Sequence, residues 1–123
     1  MNVPYQVSLR RIKNPWAARQ MPFAVSAPNS VPGVQECVTF ARQYGLKLTV
    51  IGGGHSGHCL SLGALAIDLS LMRSVSVDPM TKTVTAAGGA TTGDINLATQ
   101  PYNLSVVLGA RPSVGMGLCL HVA

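Results

Sequence analysis

The sequence predicts an α+β fold, a mixed β-sheet with flanking helices, and three observations carry that prediction. Strand-like and helix-like segments follow one another in the order β-α-β-β-β-β-α-β, punctuated by glycine and proline. One apolar segment, KLTVIGGG at residues 47–54, runs into three consecutive glycines. Two alternating segments in SVSVDPMTKTVTAAGG meet across a turn of Asp78, Pro79 and Met80, which marks a hairpin and argues against a doubly wound sheet.

Residues 1–21 carry Pro4 and Pro15 without a sustained period, and are expected to form an irregular lead-in to a domain covering 22–123. PFAVSAP, residues 22–28, is a short extended segment bounded by prolines. Ser30 is placed to cap a helix through VPGVQECVTFARQYG, with Val34, Cys37, Val38, Phe40, Ala41 and Tyr44 as its apolar stripe and Gly45 as its stop. The strand at 47–54 comes next, so the two strands and the helix between them are expected as a right-handed unit with parallel strands. ALAIDLS, residues 64–70, is the following strand, and the hairpin comes after it. Thr91 or Thr92 begins a short helix through Asp94, Ile95, Leu97 and Ala98 that stops before Pro101. SVVLGA, residues 105–110, is expected as the last strand, emptying into PSVGMG. Internal repeats and low-complexity tracts are absent.

With 123 residues, 47% of them hydrophobic and 11% charged, the chain has the size of one small domain or one lobe of a larger one. Its mean hydropathy of +0.31 implies an apolar surface that calls for a partner surface. The formal net charge of +5 suits an anionic ligand, but no segment interleaves basic and aromatic residues, so nucleic-acid binding is not expected. Cys37, Cys59 and Cys119 are an odd number with no close pair, which indicates neither a disulfide framework nor a Cys-x-x-Cys zinc knuckle and leaves the redox compartment open. The first twenty residues lack the apolar core of a secretion signal and no run reaches membrane length, so no membrane partner is expected and the location is left open.

The chemistry concentrates in GGGHSGHC, residues 52–59. Gly52, Gly53 and Gly54 at a strand end let backbone N–H groups converge on an anion such as a phosphate; the same glycines also suit an ordinary turn. His55 sits where an imidazole meets a ligand more readily than it fills a core, and a neutral imidazole is a nucleophile. Ser56, Gly57 and His58 complete the loop. His55, His58 and Cys59 are also metal-ligand types, and a small metal- or anion-binding module is the alternative they raise, although their spacing matches no standard zinc site. A second candidate loop is GARPSVGMG, residues 109–117, where Gly109, Gly115 and Gly117 permit close approach and Ser113 offers a hydroxyl.

VIGGGHSGH, IDLSLM with VSVDP, TVTAAGGATTGDI and VVLGARPSVGMGL together resemble the amino-terminal half of the FAD-binding domain of berberine-bridge-enzyme-like oxidases, in the vanillyl-alcohol-oxidase superfamily. The resemblance covers residues 22 to about 120. It implies the amino-terminal lobe of a PCMH-type FAD-binding domain in a flavoprotein oxidoreductase. The loop from Gly52 to Gly57, with His58, would wrap the FAD pyrophosphate, and His55 matches the histidine joined covalently to the flavin. Pro112, Ser113, Val114, Gly115 and Gly117 match the family's second FAD loop. Asp68 and Asp94 have counterparts too, and are read as structural, at a strand end and a helix start.

Three departures qualify the match. Arg111 occupies the place where some members carry a second attachment cysteine, and Cys119 is displaced from it. Ile51 stands where many relatives have a basic residue before the glycines. After VGMGL the chain reads CLHVA, whereas relatives continue into a glycine-rich stretch and a substrate domain. The expectation is therefore an FAD-binding portion of an oxidase that passes a hydride from a small organic substrate to covalently bound FAD and then to oxygen, truncated and not catalytic alone. The alternative is an inactive truncated product without stable FAD binding. Full-length relatives are often secreted.

Overall fold

The computed structural model describes residues 5–119. The fold is organised around β3 (Leu65–Asp68), whose four residues are all buried. β1 (Ala24–Ser26) and β2 (Leu48–Ile51) flank it, both parallel to it, in the order β1-β3-β2. The registers are Ala24 opposite Leu65 on one side, and Leu48 opposite Leu65 through Ile51 opposite Asp68 on the other. The strands on either side of the first long helix are thus parallel, as expected, but they are not neighbours. A strand apolar on both faces takes the centre of a parallel sheet, and LAID meets that requirement better than its half-exposed flanks.

Between β1 and β2 runs α2 (Val31–Gln43). Ser30 Oγ accepts the Gly33 N–H at 3.4 Å, Pro32 sits in the first turn, and Gly45 leaves the helix at φ +63°. The expected apolar stripe is only partly covered. Ala41 is buried and Val34 and Cys37 are half-buried, but Val38, Phe40 and Tyr44 are exposed, the last two stacking on each other at 4.6 Å.

β4 (Val75–Asp78) and β5 (Thr83–Ala86) form the expected antiparallel hairpin as a separate two-stranded sheet. The Asp78 carboxylate accepts the N–H groups of Met80 and Thr81, and Lys82 takes φ +54°, so the turn is longer than its Asp-Pro-Met core. α3 (Thr92–Thr99) starts at a reciprocal cap: Thr91 Oγ1 accepts from the Asp94 N–H, and the Asp94 carboxylate accepts from the Thr91 N–H. α3 stops at Thr99, before Pro101 as expected, and a 3-10 turn over Gln100–Tyr102 follows it.

Two expectations are corrected. SVVLGA is not a strand: residues 105–110 pair with no strand among the described residues, and Val107 is 100% exposed. β-propensity expresses itself only against a partner edge and a covering face, and this segment has neither. The lead-in is not irregular either. It holds α1 (Tyr5–Arg10) and a 3-10 turn at Ala17–Arg19, anchored by the buried residues Ser8, Ile12 and Ala17. Ile12 and Ala17 join Ile51, Cys59, Leu60 and Ala66 in the core. Elements this short show no period to detect. The last element is α4 (Met116–Cys119); the side chain of Cys119 and residues 120–123 lie outside the description. Among the described residues, no helix is long and apolar enough to cross a membrane.

Asp94 also receives two hydrogen bonds from Arg73, Nε to Oδ2 at 2.9 Å and Nη2 to Oδ1 at 2.6 Å. These outweigh partial burial and, with Thr91, hold its carboxyl down at about 2. A carboxyl depressed on folding stabilises above its unfolded value, about 3.9, and loses that contribution as pH falls through its folded value. Unfolding free energies of wild type and Asp94→Asn, from urea titrations between pH 5 and pH 2, should therefore converge, from a gap of about 1 kcal/mol at pH 5 after allowance for solvent screening. A gap that stays constant over that range contradicts the assignment.

Candidate functional site

The glycines that end β2 lie against the second glycine-rich loop, backbone to backbone. A Cβ on Gly53 would stand 2.3 Å from the Ser113 carbonyl oxygen and 2.5 Å from the Gly115 nitrogen. One on Gly115 would stand 2.6 Å from the Gly53 nitrogen. No side chain other than hydrogen fits at either position without separating the loops. Gly54 has φ +76°, and a Cβ there would meet the Arg11 carbonyl oxygen at 2.5 Å. His55 follows directly, and its Nε2 lies 2.9 Å from Ser113 Oγ, a side-chain bond across the same junction.

A cleft of about 420 Å3 opens where the loops meet, within the range of about 300–1,000 Å3 usual for small-molecule sites. Residues 52–56 line one side and Val114, Gly115 and Gly117 the other, with Val50, Leu69 and Gly88. Two of its glycines meet no constraint among the described residues. Gly52 and Gly117 have ordinary φ values, and a Cβ on either would meet nothing within 4 Å among the described residues. A glycine needed neither for its φ nor for a protein neighbour is one that lets something else approach the backbone.

The lead-in grips the other side of the glycine turn. The Lys13 and Asn14 N–H groups donate to the Gly54 carbonyl at 2.7 and 3.3 Å, and Asn14 Nδ2 donates to the His55 carbonyl at 3.4 Å. Arg11 Nη2 donates to the Gly52 carbonyl at 2.9 Å. By contrast, the amides of Gly53, Gly54, His55 and Gly57 donate to no protein group among the described residues. Amides beside an open cleft that make no protein bond are free to meet water or an acceptor-rich ligand.

The guanidinium of Arg11 also pairs with Asp68 Oδ1, whose carboxylate is fully buried at the end of β3 and accepts the Ser70 N–H at 3.0 Å. Burial pushes the Asp68 carboxyl up, but Ser8, Arg11 and the Ser70 amide together outweigh it and hold the group below the ordinary carboxylate range. Neither Ser8 Oγ nor Asp68 Oδ2 completes a hydrogen bond of normal geometry. Asp68 and Asp94 are thus structural, as read from the sequence. Ile51 is fully buried and removes a basic residue from this strand end; Arg11 brings a guanidinium there from 41 residues before Gly52.

Of the residues singled out from sequence, Gly52, Gly53, Gly54, His55, Ser56, Val114, Gly115 and Gly117 line one cleft, and Ser113 reaches it through His55. Gly57, His58 and Pro112 do not line it. His58 is exposed, with its N–H bonded to Ser56 Oγ at 3.1 Å, and the Pro112 carbonyl accepts the Gly93 N–H at 2.9 Å. Cys59 also borders the cleft, but it is buried, which pushes its thiol up, and it packs in the core. Among the described residues no three His, Cys, Asp or Glu side chains converge as a metal site would need. Arg11 and Asn14 were missed, since nothing in a short basic segment announces a bond to a turn so far along the chain. A larger open groove of about 500 Å3, along Asn96–Gln100 and Asn103–Ser105, holds no glycine turn and no ionisable group.

A sequence profile of the FAD binding domain family matches residues 22–117. The (R)-6-hydroxynicotine oxidase of Paenarthrobacter nicotinovorans is 32% identical over 89% of this chain and 25% of its own length. Berberine bridge enzyme-like 9 of Arabidopsis thaliana is 31% identical over 78% of this chain and 19% of its own. Among solved structures, wild-type BBE-like 1 of Physcomitrella patens superposes with a TM-score of 0.83 at 28% identity, covering 91% of this chain and 25% of that one. The chain thus spans about a quarter or less of the length of these relatives.

The steric contrast between neighbouring glycines gives a clean test. Gly53→Ala should lower the unfolding free energy markedly, by about 2 kcal/mol or more, because its methyl meets fixed backbone. Gly52→Ala should leave the unfolding free energy within about 0.5 kcal/mol of wild type. Equal effects would contradict the loop contact.

Proposed function

The chain belongs to the FAD binding domain family, and we propose that its two glycine-rich loops hold FAD in the cleft between them, with His55 as the covalent attachment residue. Gly52 and Gly117 carry this reading: they keep the cleft wall free of side chains where no contact among the described residues calls for glycine. The free amides of Gly53, Gly54 and His55 supply donors for a pyrophosphate without a charged side chain, and the net charge of +5 favours such an anion. Ser56 and Gly57 extend that wrap, with His58 at its edge. On the opposite loop Pro112 and Ser113 fix the backbone that Val114, Gly115 and Gly117 present to the cofactor.

His55 is half-buried at the junction, and Ser113 Oγ engages its Nε2, which restrains the ring and leaves the other ring nitrogen unengaged by the bond. A restrained neutral imidazole is a suitable nucleophile for a cofactor held beside it. Bound FAD supplies a two-electron acceptor. In the whole protein the activity proposed is that of a flavin-dependent oxidoreductase, oxidising a small organic substrate by hydride transfer to FAD and then to oxygen. The domain proposed here starts at residue 22 by family match and contributes cofactor binding.

Acid precipitation of protein purified with FAD tests the attachment. Wild type should give a yellow pellet whose flavin resists extraction, whereas His55→Ala should release it. A covalent adduct that survives His55→Ala shows that another residue is the attachment point. A wild type that takes up no flavin overturns the whole reading. In the His55→Ala background, where binding is reversible, Gly52→Ala should weaken FAD binding about tenfold, or about 1.4 kcal/mol.

A further inference from the structure

We infer that Arg11 is a positioning residue of the cofactor site, which turns the glycine loop's amides toward ligand by holding its carbonyls from behind. The inference rests on the FAD reading above. It reaches outside the residues matched by the family profile, which begins at residue 22.

Arg11 forks between two acceptors, the buried carboxylate of Asp68 at the end of β3 and the carbonyl of Gly52 at the end of β2. Asp68 is 0% exposed and is itself fixed to the Ser70 amide, so the guanidinium is anchored to a rigid point. From that anchor it sets the direction of the Gly52 carbonyl, and with it the peptide plane that carries the Gly53 N–H. The backbone of the same segment continues the grip, with Lys13 and Asn14 on the Gly54 carbonyl and Asn14 on the His55 carbonyl. Three carbonyls of the turn are thus taken by one short stretch of lead-in, while the adjoining amides make no protein bond among the described residues. A glycine turn on its own has many peptide orientations open to it, and only those with converging amides serve an anion. Holding the carbonyls selects among them before the ligand arrives, which lowers the ordering cost of binding.

A lysine at position 11 would keep the charge opposite Asp68 but would lose the planar fork that reaches two acceptors at once. Asn14 is a poorer probe, because its Oδ1 also accepts the Trp16 and Ala17 N–H groups and its loss would disturb the following turn.

The test measures FAD dissociation constants by titration and thermal midpoints without FAD, all in a His55→Ala background that holds flavin only reversibly, for the reference chain, Arg11→Lys and Arg11→Ala/Asp68→Asn. The double variant removes the guanidinium without stranding a buried charge, and asparagine keeps an acceptor for Ser70. Both variants should weaken FAD binding about tenfold while their midpoints stay within a few degrees of the reference. Binding within twofold of the reference in either folded variant overturns the inference. So does a loss of affinity in strict proportion to lost thermal stability, since that pattern is what a merely structural ion pair gives. Should the double variant fail to fold, Arg11→Lys decides alone. A wild type that binds no FAD removes the premise and the inference together, whereas a reference chain that binds while the variants bind equally well removes only the inference.

Discussion

Everything at the candidate site depends on the contact of Gly53 with the backbone of Ser113 and Gly115. Two loops separated by some sixty residues of sequence approach until no Cβ fits between them, and a single side-chain bond, His55 to Ser113, spans the same junction. The contact is one of exclusion more than attraction. Dispersion between closely packed backbones stabilises it, but any substituent at either glycine turns it into a clash. The cleft exists because the loops meet there and diverge on either side.

The sheet and the lead-in are arranged to deliver that contact. β3 is buried on both faces and fixes the ends of its neighbours, so Ile51 and Asp68 finish side by side in register. The first leads into the glycine turn, and the second receives Arg11. A buried carboxylate without a cation would be costly, and the guanidinium answers that need while bonding the turn's first carbonyl. On the other loop, the Thr92 and Gly93 amides at the start of α3 donate to the Val114 and Pro112 carbonyls, and Thr92 Oγ1 donates to the Arg111 carbonyl at 2.6 Å. Each loop is therefore held by its carbonyls from the side away from its partner.

Much of this was legible in the residues because it is local. Ser30 with Gly45 delimits α2, Asp78 makes the hairpin turn, and Thr91 with Asp94 caps α3, since each signal acts within a few positions of itself. The glycine turn with its histidine announced the site for the same reason. What escaped was long-range. The placement of β3 between β1 and β2 depends on which strand is most completely covered, and the bond from Arg11 to Asp68 joins positions 57 apart. SVVLGA has the composition of a strand and lacks a partner edge, and α2 has an apolar stripe of which Phe40 and Tyr44 remain uncovered. Propensity and periodicity describe a segment, not what lies beside it.

The central claim is that residues 52–57 and 113–117 form one binding surface for FAD. Amide hydrogen exchange followed by mass spectrometry, with and without saturating FAD, addresses it most directly. The account predicts slowed exchange in the peptides covering those two loops, with the groove along Asn96–Gln100 and Asn103–Ser105 unchanged. Protection confined to that groove, or to only one of the two loops, would contradict it.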